Sequence, residues 1–229
     1  MEVQRNAPPK DGFLEKVRKL ATEKDIILVF DECTSGFRQT FGGLHKKYAI
    51  EPDLAIFGKA LGNGYAISAC LGREDFMQAA QETFISSTFW TERIGSVAAL
   101  KTLEVMEKEE SWVKITEIGN NITNRWKDLA QKYELKINTW GIPALSGFSF
   151  DSPNALPYKT LITQEMLKKG FLAADCVYSC IEHTSKIVDC YFEAIDPIFS
   201  IIKECEEESR NIHSILDGPI CHSGFKRLN

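Results

Sequence analysis

Apolar positions recur at helical intervals between residues 12 and 24, where Phe13, Leu14, Val17 and Leu20 mark one face. The run Ile26-Ile27-Leu28-Val29-Phe30 then breaks that period. It is short, β-branched and apolar throughout, which predicts a strand buried on both faces. A helix feeding such a strand predicts an α/β domain with a largely parallel sheet. Residues 54–57 and 66–71 read as two further strands, with Gly62-Asn63-Gly64 as a turn between them. Helical patterns follow at 92–108 and 112–133. Residues 135–140 and 144–150 then read as strands, parted by Gly141 and Pro143. Residues 156–169 form an amphipathic helix that Gly170 ends, and 171–174 read as a last short strand. Thr184 or Ser185 caps a long final helix carrying Ile187, Val188, Tyr191, Phe192, Ile195 and Ile198. The pattern changes near 109–111. Residues 1–109 are expected to be part of a large α/β domain, and residues 110–229 a small α+β domain.

Composition narrows the function classes. The 229 residues are 44% hydrophobic, the level of a soluble globular protein. No apolar run has the length of a membrane span, and the start, MEVQRNAPPKDGF, has no apolar core of a secretory signal. A net charge of -5 with interspersed signs argues against a nucleic-acid face. Seven cysteines, an odd and scattered number, suit a reduced, cytoplasmic protein better than a disulfide framework.

Three residues could carry chemistry. Asp31 ends the first buried strand, where open α/β sheets place their ligands. It is either solvated at the sheet edge or paired with a cation, because an unpaired buried charge is expensive. Lys59 ends the second strand, between glycines. A lysine there can serve as an amine nucleophile. Thr88 follows Ser86-Ser87 and precedes a helix, and hydroxyls with free amides at a helix start suit a phosphate. Each residue alone is more often a turn, cap or solvated side chain. Gly58-Lys59 is not a phosphate loop, since the earlier glycine of that motif is missing.

The surrounding segments add to this. Phe30-Asp31-Glu32-Cys33-Thr34-Ser35-Gly36-Phe37-Arg38 resembles the F-D-E-V-x-x-G-F-R segment of the class III aminotransferases. The segment from Pro52-Asp53 through Gly58-Lys59-Ala60-Leu61-Gly62-Asn63-Gly64 resembles that family's P-D-(apolar)-G-K-x-(apolar)-G-x-G segment. Ser87-Thr88-Phe89, followed by Gly95 and Ala98-Ala99-Leu100, is similar to the next family block. The likeness is greatest to the branch of glutamate-1-semialdehyde 2,1-aminomutase and its aminotransferase relatives. It is loose in the second half of the chain.

The resemblance implies part of the large domain of a pyridoxal-phosphate (PLP) dependent transferase of fold type I, followed by a small α+β domain. Lys59 would hold PLP as a Schiff base, Asp31 would pair with its pyridine nitrogen, and Thr88 would bind its phosphate, commonly that of a neighbouring subunit in a homodimer. The reaction implied is transamination between a small-molecule amino donor and a carbonyl acceptor. An aminomutase would use the same groups on one substrate. Arg38 and Arg93 are candidate carboxylate contacts, since arginine presents a bidentate fork.

The sequence departs from the family at two places. Cys33 stands where the family has Val or Ile against the cofactor ring, and a cysteine packs there as a small apolar neighbour. Family members also carry a substantial portion before the F-D-E strand, with a Gly/Ser-rich phosphate turn and a ring-stacking aromatic. The expectation is therefore a fragment or truncated chain, or a non-catalytic remnant that needs a second polypeptide. Cys176, Cys180, His183 and Cys190 lack the tight pair of a common zinc module and read as thiols of the fold, so no metal is expected. Glu204, Glu206, Glu207 and Glu208 read as a solvated helix face.

Overall fold

The computed structural model describes residues 8–86, 88 and 91–224. The chain forms two compact units, residues 1–116 and 117–229. The first holds helix α1 (Phe13–Glu23), strands β1 (Val29–Asp31), β2 (Leu54–Phe57) and β3 (Ala69–Gly72), the single turn α2 (Glu74–Met77) and helix α3 (Ile94–Glu109). Helix α4 (Ser111–Lys132) opens in this unit and continues into the second. Its first turns belong with the first unit because Trp112 stacks 5.3 Å from Phe41, and the Thr116 hydroxyl reaches the Arg38 carbonyl at 3.4 Å. The second unit adds strands β4 (Ile137–Ile142) and β5 (Leu145–Phe150), helix α5 (Ala155–Lys168), strand β6 (Cys176–Tyr178) and helix α6 (Ser185–Glu206).

β1 pairs with β2 in parallel, Val29 opposite Leu54 and Asp31 opposite Ile56, and β3 adds antiparallel to β2. Strand alternation puts Phe30, Ala55 and Phe57 on one face. Phe30 packs there with Leu14 of α1 and Ile50, while Ala55 and Phe57 pack with Leu61 and Ala99 of α3. Among the described residues the opposite face is covered less, with Leu54 and Ile56 half-buried. Val29 is 45% exposed, and Ile26 and Ile27 before it are exposed as well. The sequence reading of a strand buried on both faces is thus corrected: β1 is short, lies at the edge of the described sheet and has an apolar layer on one side only.

Asp53 ties this sheet together from the start of β2. Its buried carboxylate accepts from the Leu28 amide at 2.8 Å, from Arg18 of α1 at 2.8 Å and from Arg73, just past β3, at 3.1 Å. Burial works against its ionisation, but the Leu28 bond and the Arg18 pair outweigh it and hold the carboxyl below its ordinary range. A carboxyl depressed in the folded state stabilises fully above its unfolded value of about 3.9 and loses that contribution as pH falls through the lower folded value. Asp53→Asn is expected to cost about 2 kcal/mol in urea unfolding at pH 7. The gap from the native sequence should narrow below about pH 4, and a pH-independent gap would remove this account.

In the second unit, β4, β5 and β6 form an antiparallel sheet in that order. The last strand lies at 176–178, not at 171–174 as the sequence suggests. Its place is set by pairing, since Ser146 meets Val177 and the Phe148 amide bonds the Asp175 carbonyl at 2.9 Å. Residue Phe171 instead closes α5, donating to the Met166 carbonyl at 2.9 Å after the left-handed Gly170. Trp126, Phe148, Tyr158, Ile195 and Phe199 are fully buried and join α4, β5, α5 and α6 in one core. Each such side chain contributes about 2–3 kcal/mol of burial. The two buried tyrosines keep partners: Tyr191 accepts from the Trp126 indole at 3.0 Å, and Tyr158 donates to Glu206 at 2.5 Å. Burial pushes both hydroxyls up, so they stay protonated. Trp140 lies across Gly147 on the neighbouring strand, where a Cβ would fall 2.3 Å from the indole ring. Thr184 caps α6, accepting from the Ile187 amide at 3.4 Å.

Candidate active site

Parallel pairing of β1 and β2 brings their carboxyl ends to the same sheet edge. Asp31 ends β1, and Gly58 and Lys59 follow directly after β2. Asp31 is exposed, and its Oδ1 accepts from the Cys33 amide at 3.0 Å. Cys33 turns its sulfur toward Gly58, where an added Cβ would come within 3.1 Å of Sγ. Lys59 opens a short 3-10 turn (Lys59–Leu61) and is exposed, while Gly58 and Ala60 on either side are buried. Its Nζ donates to the Thr34 hydroxyl. The edge thus gathers a carboxylate, a thiol, a hydroxyl and a primary amine from two strand ends.

The backbone at Lys59 is left-handed, with φ at 44°. That conformation costs a residue with a side chain about 1–2 kcal/mol, and such strain concentrates at working sites. The turn after it closes tightly. A Cβ on Gly62 would lie 2.1 Å from the Tyr65 carbonyl, so glycine is required there.

The loop that carries Cys33 and Thr34 is fixed by a residue that is not among the sequence candidates. Glu32 is fully buried. Its carboxylate accepts from the Ser35 hydroxyl, from the Leu44 and His45 amides at 3.0 Å each, and from the His45 ring Nδ1 at 3.0 Å. Asp31 and Glu32 look equivalent in the sequence. Strand alternation separates them, turning Asp31 out to the edge and Glu32 into the protein. That alternation was the available signal.

Thr88 is exposed, and Ser87, Phe89 and Trp90 around it lie outside the described residues. The expected open amides at the following helix start are partly taken: the Glu92 carboxylate accepts from the Ile94 and Gly95 amides of α3. Arg93 is exposed at the head of the same helix, and Arg38 is half-buried in the loop after β1. Cys180 and Cys190 are exposed and Cys176 is half-buried, its thiol pushed up by burial. His183 Nδ1 accepts from the Cys180 amide at 3.4 Å. Among the described residues no group of three or more His, Cys, Asp or Glu is placed to hold a metal ion. Among them, too, no helix is long and apolar enough to cross a membrane.

A cleft of about 800 Å³ in the first unit is lined by Phe37, Phe57, Leu71, Asp53 and Arg73 among others, without Asp31, Cys33 or Lys59. Its Arg18 and Arg73 are already paired with Asp53. The donor set at the strand ends, not the larger empty volume, therefore marks the candidate site.

The profile described as Aminotransferase class-III matches residues 6–204. The chain belongs to the class III aminotransferase family. A 3-aminobutyryl-CoA aminotransferase of Cloacimonas acidaminovorans is 34% identical over 202 residues, covering 86% of this chain and 49% of that protein. A glutamate-1-semialdehyde 2,1-aminomutase of Methanococcus maripaludis is 26% identical, covering 82% and 48%. Among solved structures, the PLP internal aldimine form of the Sphingopyxis FumI protein superposes with a TM-score of 0.82 at 26% identity, over 93% of this chain and 52% of that one. A transaminase with PLP bound shares the fold at a TM-score of 0.76 and 17% identity. The chain spans about half the length of the curated relatives it matches.

Proposed function

We propose that this chain supplies the lysine-bearing part of a PLP-dependent aminotransferase site. The observation that carries the reading is the parallel pairing that delivers Asp31 and Lys59 to one edge. The donor chemistry fits the cofactor: a primary amine suits its aldehyde, and a carboxylate suits its protonated ring nitrogen. When bound, PLP supplies an electron sink for the substrate's α-carbon. Lys59 would hold the cofactor. Once the substrate amine takes its place, its free amine would carry the α-proton. Asp31 would keep the ring nitrogen protonated. Cys33, packed on Gly58, would border the ring. Thr88 would bind the phosphate, in the family commonly across a subunit boundary, which makes a homodimer the assembly of this reading. Small-molecule amino donors and carbonyl acceptors are the substrates, in a reduced, cytoplasmic setting.

Transfer between two molecules is favoured over aminomutation within one, since the aminotransferase relative shares more of the sequence than the aminomutase. The test is to mix the purified chain with PLP, record the visible absorption, reduce with borohydride and map the label. An imine band with label on Lys59 alone is expected. No band, or label spread over surface lysines, would show a chain that does not hold the cofactor by itself and would favour a non-catalytic remnant.

A further inference from the structure

We infer that Thr34 is the positioning residue for the Lys59 amine. This rests on the reading of Lys59 as the cofactor lysine. A lysine ammonium sits on a flexible four-carbon stem, and Lys59 is exposed, so packing does not fix its end. Its hydrogen bond to Thr34 Oγ1 does. The hydroxyl, by contrast, has a fixed position. Thr34 is 8% exposed and lies in a loop held on both sides. The Glu32 carboxylate takes the Ser35 hydroxyl, and the Gly36 amide donates to the Glu32 carbonyl at 2.8 Å. Gly36 itself is pressed against Phe57, where a Cβ would lie 2.7 Å from the ring. A hydroxyl oxygen accepts from an amine and from an ammonium alike. Thr34 therefore holds the nitrogen at the strand edge before a carbonyl compound is attached and whenever the amine is released.

The experiment compares the native chain with Thr34→Val, Thr34→Ser and Lys59→Ala, reading labelled lysines by peptide mass spectrometry. Two probes are used. Formaldehyde with cyanoborohydride reports how free the amine is, and PLP with borohydride reports how well it is placed. In Thr34→Val, methylation of Lys59 relative to surface lysines should rise about three- to tenfold, the span of one lost hydrogen bond. PLP labelling of Lys59 should fall by a similar factor, and Thr34→Ser should restore both. Opposite movement of the two probes is not what a general loosening of structure produces. Equal Lys59 methylation in the native chain and Thr34→Val overturns the inference, as does a serine variant that behaves like valine. If Thr34→Val does not fold, Thr34→Ala carries the same comparison. A native chain whose Lys59 takes no selective PLP label, yet whose methylation still responds to Thr34→Val, supports the hold on the amine. That outcome overturns the cofactor reading alone.

Discussion

Lys59→Ala is expected to lower transamination by about 10⁴-fold or more and to leave no borohydride-stable label on the chain. The amine has two tasks in the proposed site, holding the cofactor and moving the α-proton. General base catalysis alone contributes up to about 10⁴-fold, and the covalent task comes on top of it. The fold should survive, because Lys59 is exposed and its buried neighbours Gly58, Ala60 and Leu61 are untouched. Lys59→Arg should not rescue, since a guanidinium stays protonated and cannot act as the nucleophile. Turnover is measured in the assembled form that transaminates, with label mapped in parallel. A Lys59→Ala protein that kept more than about 1% of turnover, a loss smaller than the least that removing the base should give, would sink the assignment.

Glu32→Ala should unfold readily even though Glu32 makes no part of the proposed chemistry. Its carboxylate is the shared acceptor for the Ser35 hydroxyl, the Leu44 and His45 amides and the His45 ring. Alanine leaves all of these buried donors without it, and each unsatisfied group costs about 1–3 kcal/mol. Breaking a buried charged partner typically costs about 3–5 kcal/mol. For a chain of this size that is a Tm lower by about 6–20 °C. The loop from Cys33 to His45 should loosen first, and selective labelling of Lys59 should decline with it. Glu32→Gln keeps one acceptor oxygen and should lose less. Thermal melts of the three proteins decide the matter, and an alanine variant melting within about 2 °C of the native chain, under 1 kcal/mol at this size, would show that the buried carboxylate is not what fixes the loop.

Much of the architecture could be read from local pattern. The helices now seen as α1, α3, α4, α5 and α6 follow from apolar spacing together with the Thr184 cap and the Gly170 stop, all signals within one turn of the chain. The sheets were less legible, because a strand's partners are distant in sequence. Nothing local says that the run ending in Phe30 gets cover on one face only, or that pairing with Ser146 and Phe148 draws the final strand to Val177 rather than Phe171. The carboxyl-edge placement of Asp31 and Lys59 was readable because each lies within two residues of the end of its apolar run. Thr34 was not, since its partner Lys59 lies on another strand end. Thr88 stood out only through the segment resembling the family, and its flanking residues lie outside what the structure describes.

The left-handed backbone at Lys59 has a bearing on how this site would fare under selection. Glycine occupies that conformation without strain, so it is the residue the fold alone would choose at position 59. This chain carries a lysine there instead. A laboratory evolution that rewarded heat resistance and ignored turnover would find Lys59→Gly among its easy gains, and each such gain would erase the amine. Sequences drifting free of the reaction would accordingly show their release at this codon before the core of either unit recorded any change.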